Sequence, residues 1–266
     1  MFEFDQLADR RTDHSRKWDR KFVEAIYGPL PEDYISMWIA DLDFQVAPVI
    51  QDCLQEIVAK KTLGYVYTYD EFYQAIQYWQ KDKLGLDIDR EHILLDYSVA
   101  ISLYHAVRAF CQADDCIMIQ NPVYNPFRMA AQENDIRAIE VDLLLDQDGR
   151  YQMDFATIEA QMIQHQPKLF ILCSPHNPGG RIWSKEEITR LAQLCLDHGV
   201  ILVADEVHSD HIYQGEFFST LALDEAYRQN LVWFNSANKG FNFAGLKTSY
   251  AIIPNDQLRA QYQKLM

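Results

Sequence analysis

From Ile93 onward, short apolar runs alternate with amphipathic stretches, and no other feature restricts the fold as strongly. The apolar runs cover 93–95, 116–120, 136–141, 169–173, 200–204, 231–235 and 249–253. Several are apolar at nearly every position, as strands covered on both faces are. The stretches between them, at 99–110, 127–133, 155–164, 185–198 and 223–229, carry apolar residues at helical spacing. Strands joined by helices pair in parallel, because a parallel connection needs a crossover of about a dozen residues or more. The expected fold is therefore α/β: a three-layer, mostly parallel seven-stranded sheet with helices on both faces. Run 249–253 follows the preceding segment too closely for a crossover helix and is expected to be antiparallel.

Upstream, 47–59 and 70–81 read as amphipathic helices, and residues 1 to about 45 as an irregular arm with one helix start. A chain of 266 residues can fill one large core, or one domain and part of another. Its net charge of −15 argues against nucleic acid or an anionic membrane as partner. It does not exclude an anionic cofactor, because local amides and helix ends set phosphate binding. No run approaches the ~18 apolar residues of a membrane span. The acidic start Met1-Phe2-Glu3-Phe4-Asp5 lacks the basic and apolar parts of a signal peptide. Cys53, Cys111, Cys116, Cys173 and Cys195 form no C-x-x-C pair and read as reduced thiols, so a cytoplasmic location is expected.

Three segments carry chemistry. Lys239 lies in Ser236-Ala237-Asn238-Lys239-Gly240, directly after the apolar run Leu231-Val232-Trp233-Phe234. A lysine among apolar and small residues is biased toward its neutral, nucleophilic amine, which forms Schiff bases with aldehydes. Pyridoxal phosphate (PLP) is the common biological aldehyde. The plainer alternative is a lysine snorkelling at a strand end. Asp205, in Ala204-Asp205-Glu206-Val207-His208, closes another buried strand, where open α/β sheets bind ligands. A carboxylate there can keep a pyridine nitrogen protonated, or can simply cap the strand. Asn177 sits in Ser174-Pro175-His176-Asn177-Pro178-Gly179-Gly180, a tight loop after run 169–173. The plain alternative is a strand-to-helix turn, since Ser184-Lys185-Glu186-Glu187 just beyond resembles a capping box.

In this order the three segments resemble fold-type I PLP enzymes of the class I/II aminotransferase superfamily. Met37-Trp38-Ile39-Ala40-Asp41-Leu42-Asp43-Phe44, Leu63-Gly64-Tyr65 and Asn121-Pro122-Val123-Tyr124-Asn125-Pro126-Phe127 resemble, more narrowly, the MalY/PatB-type cysteine-S-conjugate (cystathionine) β-lyases. Asp9-Arg10-Arg11, His14-Ser15 and Lys17-Trp18-Asp19 fit the same subgroup. The resemblance implies an N-terminal arm and part of a small domain over 1–45, a PLP-binding large domain over 46–254, and the start of an interdomain helix over 255–266. Family members continue from there through the rest of the small domain, with the arginine that grips the substrate carboxylate. A C-terminally truncated form with only the N-terminal part of the small domain is the resulting expectation.

The resemblance also implies roles for single residues. Lys239 would bond to pyridoxal 5′-phosphate and then carry the substrate Cα proton. Asp205 would pair with the pyridinium nitrogen, and Asn177 would donate to the phenolic oxygen. His208 would reach that oxygen or remain a solvent-facing loop histidine. Tyr124 would stack on the ring, its alternative being a core tyrosine. Ser236, Lys247 and the amides of Val99 and Ala100 would hold the phosphate, with Tyr65 reaching it from a neighbouring subunit of a homodimer. Related chains usually have glycine where this one has Ser98, proline at Ile101 and threonine at Gly240. Ser98 would either crowd the phosphate or add a donor.

The implied reaction is cleavage of L-cystathionine or another cysteine S-conjugate to a thiol, pyruvate and ammonia. The alternatives are an aminotransferase, or an inactive or partner-binding remnant of the family. Two unrelated motifs have weaker support. Asp205, His208, Asp210 and His211 hold potential metal ligands but lack an H-E-x-x-H pattern, and no metal is expected. Gly240 to Thr248 nearly spells a P-loop, with one extra residue between Gly245 and Lys247.

Overall fold

A computed structural model describes residues 2–266. In chain order the first elements are α1 (Arg20–Tyr27), α2 (Pro48–Ala59), α3 (Asp70–Leu84), β1 (Ile93–Asp96), α4 (Val99–Phe110) and β2 (Cys116–Asn121). Then come α5 (Pro126–Gln132), β3 (Arg137–Asp142), β4 (Leu144–Leu145), β5 (Tyr151–Gln152), α6 (Phe155–His165) and β6 (Leu169–Cys173). The remainder is α7 (Lys185–Asp197), β7 (Ile201–Asp205), α8 (Glu225–Arg228), β8 (Leu231–Asn235), α9 (Ala237–Gly240), β9 (Ser249–Ile252) and α10 (Asp256–Gln263). The chain divides into two compact units: Met1–Tyr67 with Asn238–Lys247, and Thr68–Ala237 with Thr248–Met266.

The larger unit contains the expected sheet. Its seven strands run β1-β9-β8-β7-β6-β2-β3. The ladders β8–β7, β7–β6, β6–β2 and β2–β3 are parallel, and β9 is antiparallel to both its neighbours. Two clusters of apolar side chains cover the two faces. Met118, Phe170, Leu172, Leu202 and Trp233 pack with Ile158 and Met162 of α6 and Ile188 and Leu191 of α7. Ile117, Ile119, Leu169, Ile171, Val203 and Phe234 pack with Leu103 and Val107 of α4, Phe127 of α5 and Tyr262 of α10. Alternate residues of one strand thus feed opposite clusters, as the two-residue period of a strand requires. All five residues of β6 are buried, which explains its unbroken apolar run.

Helix boundaries follow local signals. The Ser184 hydroxyl accepts from the Glu187 amide and the Glu187 carboxylate accepts from the Ser184 amide, so α7 opens on the expected capping box. The helix read over 70–81 extends to Leu84. Gly85, with φ of 69°, supplies the left-handed residue that ends it. The 223–229 helix shortens to α8, because the Ser219 hydroxyl first caps a 3-10 turn over Thr220–Ala222. The β4–β5 ladder was not anticipated, since two-residue strands are too short to show a period.

In the smaller unit, Asp19 caps α1 by accepting from the Phe22 amide, and Val23 is buried. Helix α2 starts at Pro48 and buries none of its residues.

Candidate active site

In the larger unit the parallel strands β2, β6, β7 and β8 end at one edge of the sheet. After β2 the chain moves outward to β3, then returns to place β6 on the other side of β2. Such a reversal of strand order marks the crevice where open α/β sheets take ligands. The sequence candidates fall at this edge. Tyr124 follows β2, Asn177 follows β6, Asp205 is the last residue of β7, and Ser236 follows β8. Strand β1 runs in the same direction as β8, since both are antiparallel to β9, so Val99 and Ala100 open α4 at the same edge.

Asp205 is only 3% exposed and lies in register with Cys173 on β6 and Phe234 on β8. One of its oxygens accepts from the Val207 amide at 3.1 Å. Burial, helped by the Asp205 charge, pushes the Cys173 thiol up, so it is held as the neutral thiol. The loop after Asp205 is fixed by three anchors. Ser209 accepts from the Asn235 amide nitrogen at 3.0 Å. Asp210 accepts from the Trp79 indole at 3.1 Å. Glu206, fully buried, accepts from the Ser219 hydroxyl at 2.6 Å and from the Thr220 amide and hydroxyl at 2.7 and 2.8 Å. The sequence reading gave Glu206 no role. Its donors lie on a distant turn, and nothing in the order of residues points to that pairing. The anchors leave the Asp205 carboxylate fixed by backbone on both sides.

Helix geometry leaves the first amides of α4 without acceptors in the helix. The Ser98 hydroxyl takes the Ile101 amide at 3.3 Å as the helix N-cap. That is a third role, beyond crowding a phosphate or donating to it. The Val99 and Ala100 amides remain for a ligand, at the end of a helix that favours negative charge. Below them, Asp96 accepts from Ser102 at 3.2 Å and Tyr262 at 3.3 Å, and pairs with His105 at 2.8 Å, locking α4 and α10 to β1. Ser236 is buried, and its hydroxyl donates to the Thr248 carbonyl. It must turn to donate elsewhere. The Tyr124 ring is exposed and meets Phe127 edge-on at 6.3 Å.

Asn177 is half-buried, and its amide donates to the Cys173 sulfur at 3.3 Å. Its neighbour His176 packs against Tyr151 and Trp183, and its Nδ1 accepts from the Gly179 amide at 3.3 Å. Burial lowers the His176 pKa to about 4, so the ring is neutral at pH 7 and braces the loop without charge. His208 is half-buried, with its ring 6.4 Å from that of His211. Among the described residues no group of three or more His, Cys, Asp or Glu side chains is arranged to hold a metal ion.

The smaller unit holds Lys239, Lys247 and Tyr65. Lys239 Nζ donates to the Ala40 carbonyl at 2.8 Å. Asn242 Nδ2 donates to the Phe44 carbonyl at 2.7 Å. Both acceptors lie in the Trp38–Phe44 motif, which the arm grips as well. Lys17 Nζ donates to the Asp41 carbonyl at 2.7 Å and to the Asp43 carboxylate at 2.9 Å, and the Trp18 indole donates to Asp43 at 2.6 Å. Despite partial burial, which opposes it, the Lys17 and Trp18 donors hold the Asp43 carboxyl below its ordinary range. Lys247 adopts φ of 44° and is exposed. Tyr65 is fully exposed, at 111%.

The profile of the family described as aminotransferase class I and II matches residues 35–266. The chain is 35% identical over 260 residues to the cystathionine beta-lyase PatB of Bacillus subtilis (strain 168), which covers 97% of this chain and 66% of that relative. Among solved structures, it superposes on cystalysin from Treponema denticola, which contains a pyridoxal 5′-phosphate cofactor, with a TM-score of 0.91 and 30% identity. That match covers 99% of this chain and 66% of the other. The PLP-bound C-S lyase from Staphylococcus hominis matches with a TM-score of 0.88 and 32% identity, again over 99% and 66%. The chain thus spans 66% of the length of each of these three relatives. No described helix is long and apolar enough to cross a membrane.

Proposed function

The chain belongs to the class I and II aminotransferase family, and from that premise we propose that it is a PLP-dependent C–S β-lyase. Its substrate would be L-cystathionine or another cysteine S-conjugate, cleaved to a thiol, pyruvate and ammonia. The observation that carries this reading is the buried Asp205 carboxylate at the end of β7, in a chain 35% identical to a cystathionine beta-lyase.

The residues present fit the cofactor's three chemical demands. A pyridine nitrogen needs a fixed carboxylate, and Asp205 supplies one whose neighbours are all anchored. A phosphate needs donors, and the helix end at Val99 and Ala100 has amides to give, with Ser236 and Lys247 as further candidates. An aldehyde needs an amine, which Lys239 carries.

When bound, the cofactor supplies an electron sink for the pair released as the substrate Cα–H bond breaks. Lys239 would act as the base that takes the Cα proton. Asp205 would face the ring nitrogen, and its burial makes a charge pair there worth more than in water. Asn177 would donate to the phenolic oxygen, with His208 as a second candidate for that role. Tyr124 would stack on the ring and help exclude water.

Tyr65 belongs to the same reading. Its full exposure, and the exposure of Val49 and Val58 on α2, suits a surface that a second copy covers, and the working unit is proposed to be a homodimer in which Tyr65 reaches the neighbouring phosphate. An aminotransferase would use the same groups but return the proton to the cofactor. The two are separated by incubating the PLP-loaded chain with L-cystathionine. The lyase reading predicts pyruvate and ammonia without any keto-acid acceptor. Amino transfer to an added keto acid, with no pyruvate, would refute it.

A further inference from the structure

Two lysines hold successive carbonyls of one short segment. Lys239 donates to the Ala40 carbonyl at 2.8 Å, and Lys17 donates to the next one, that of Asp41, at 2.7 Å. The Lys17 side chain is only 8% exposed and is neutralised by Asp43 at 2.9 Å. Asp43 is in turn held by the Trp18 indole, and its own carbonyl accepts from the Ala8 amide at 2.8 Å. The Asp41 carboxylate accepts from Arg10. A further tie, from Asn242 to the Phe44 carbonyl, closes the far end. The peptide that presents its oxygen to Lys239 is therefore not a loose loop. Part-buried charge-assisted hydrogen bonds from Lys17 and Arg10 fix it at Asp41, and the Asn242 bond ties it at Phe44.

We propose that Lys17, acting through Asp43 and the Asp41 backbone, is a positioning residue for Lys239, and that the Ala40 carbonyl is the seat of the Lys239 amine whenever that amine is not bonded to the cofactor. The inference rests on Lys239 being the reactive amine of the proposed function. A lysine side chain has four rotatable bonds and loses much of its rotamer freedom when fixed. A rigid acceptor that selects one rotamer leaves the amine aimed along one line. The seat also has a second effect. It sets the Lys239 and Lys17 amines on neighbouring carbonyls, where their like charges oppose each other.

That opposition supplies the test. In the chain without added cofactor, trace acetylation of Lys239 is followed by peptide mass spectrometry, with Lys21 on α1 as the reference amine in the same unit. Lys17→Met removes a positive charge, so electrostatics alone would make Lys239 more basic and slow its labelling. Asp43→Asn removes a negative charge and would do the reverse. Release of the seat instead raises labelling in both variants, by roughly tenfold for a lost charge-assisted hydrogen bond. Lys17→Arg, which keeps the charge and the donors, is expected to stay close to the parent chain. A parallel rise in both variants with Lys21 unchanged supports the proposal. Opposite responses, no response, or an equal rise at Lys21 would overturn it. Because the readout needs no cofactor, a chain that failed to bind PLP would still report on Lys17, and the two ideas fail separately.

Discussion

Lys239→Ala is expected to lower pyruvate release from L-cystathionine by about 10²–10⁴-fold while leaving the chain folded. The size of the loss follows from what the amine would do in the proposed reaction: it would supply both the bond that holds the cofactor and the base that takes the Cα proton. The cost to the fold is small. The substitution removes the hydrogen bond to the Ala40 carbonyl, worth about 1 kcal/mol. Thermal unfolding should therefore shift little, and the absorbance band that PLP acquires on binding near the edge of the visible should disappear. Partial recovery of turnover by an added small amine would identify the missing group as a base. Turnover within a few-fold of the parent chain would remove Lys239 from the reaction.

The largest effect on stability is expected at Glu206. Glu206→Ala should destabilise the larger unit by about 3–5 kcal/mol, read as a lowered denaturation midpoint. The carboxylate takes three donors, from Ser219 and Thr220, in a site closed to water, and all three lose their acceptor at once. Glu206→Gln keeps an oxygen for part of this set and should cost clearly less. The group also has a pH signature. Burial outweighs the donors and raises its pKa, so the folded state holds a proton more readily than the unfolded chain. Its contribution is thus complete below the ordinary glutamate range and declines as pH rises through the raised value. The Gln variant should lose that decline. Equal midpoints for Glu206→Ala and the parent chain would show that the Ser219–Thr220 turn is held by something else.

Much of this architecture was legible because it depends on local pattern. A buried parallel strand is apolar throughout, so β6 and β8 were found to the residue, and α4 likewise from its period. The short interval before β9 correctly implied an antiparallel strand. Asp205 stood out for a similar reason: a carboxylate ending an apolar run is a local anomaly. The rest was hidden because it depends on distance along the chain. Lys17 and Asp43 were visible as parts of two motifs, yet nothing in either motif says that they touch. Glu206 and Thr220 meet across a loop whose path no period specifies. Ser98 was read only against a phosphate, although a serine at a helix start is first of all a cap. Helix α2 shows the converse limit, since its period announces a helix but not what would cover it.

The most direct measurement is to trap the cofactor. The chain is incubated with PLP, reduced with borohydride, digested, and its peptides weighed. The reduced adduct should lie on Lys239 alone, and Lys239→Ala should carry none. An adduct chiefly on Lys247, Lys17 or a surface lysine, or none on any residue, would contradict Lys239 as the amine that holds PLP and with it the assignment of this chain as a PLP-dependent lyase.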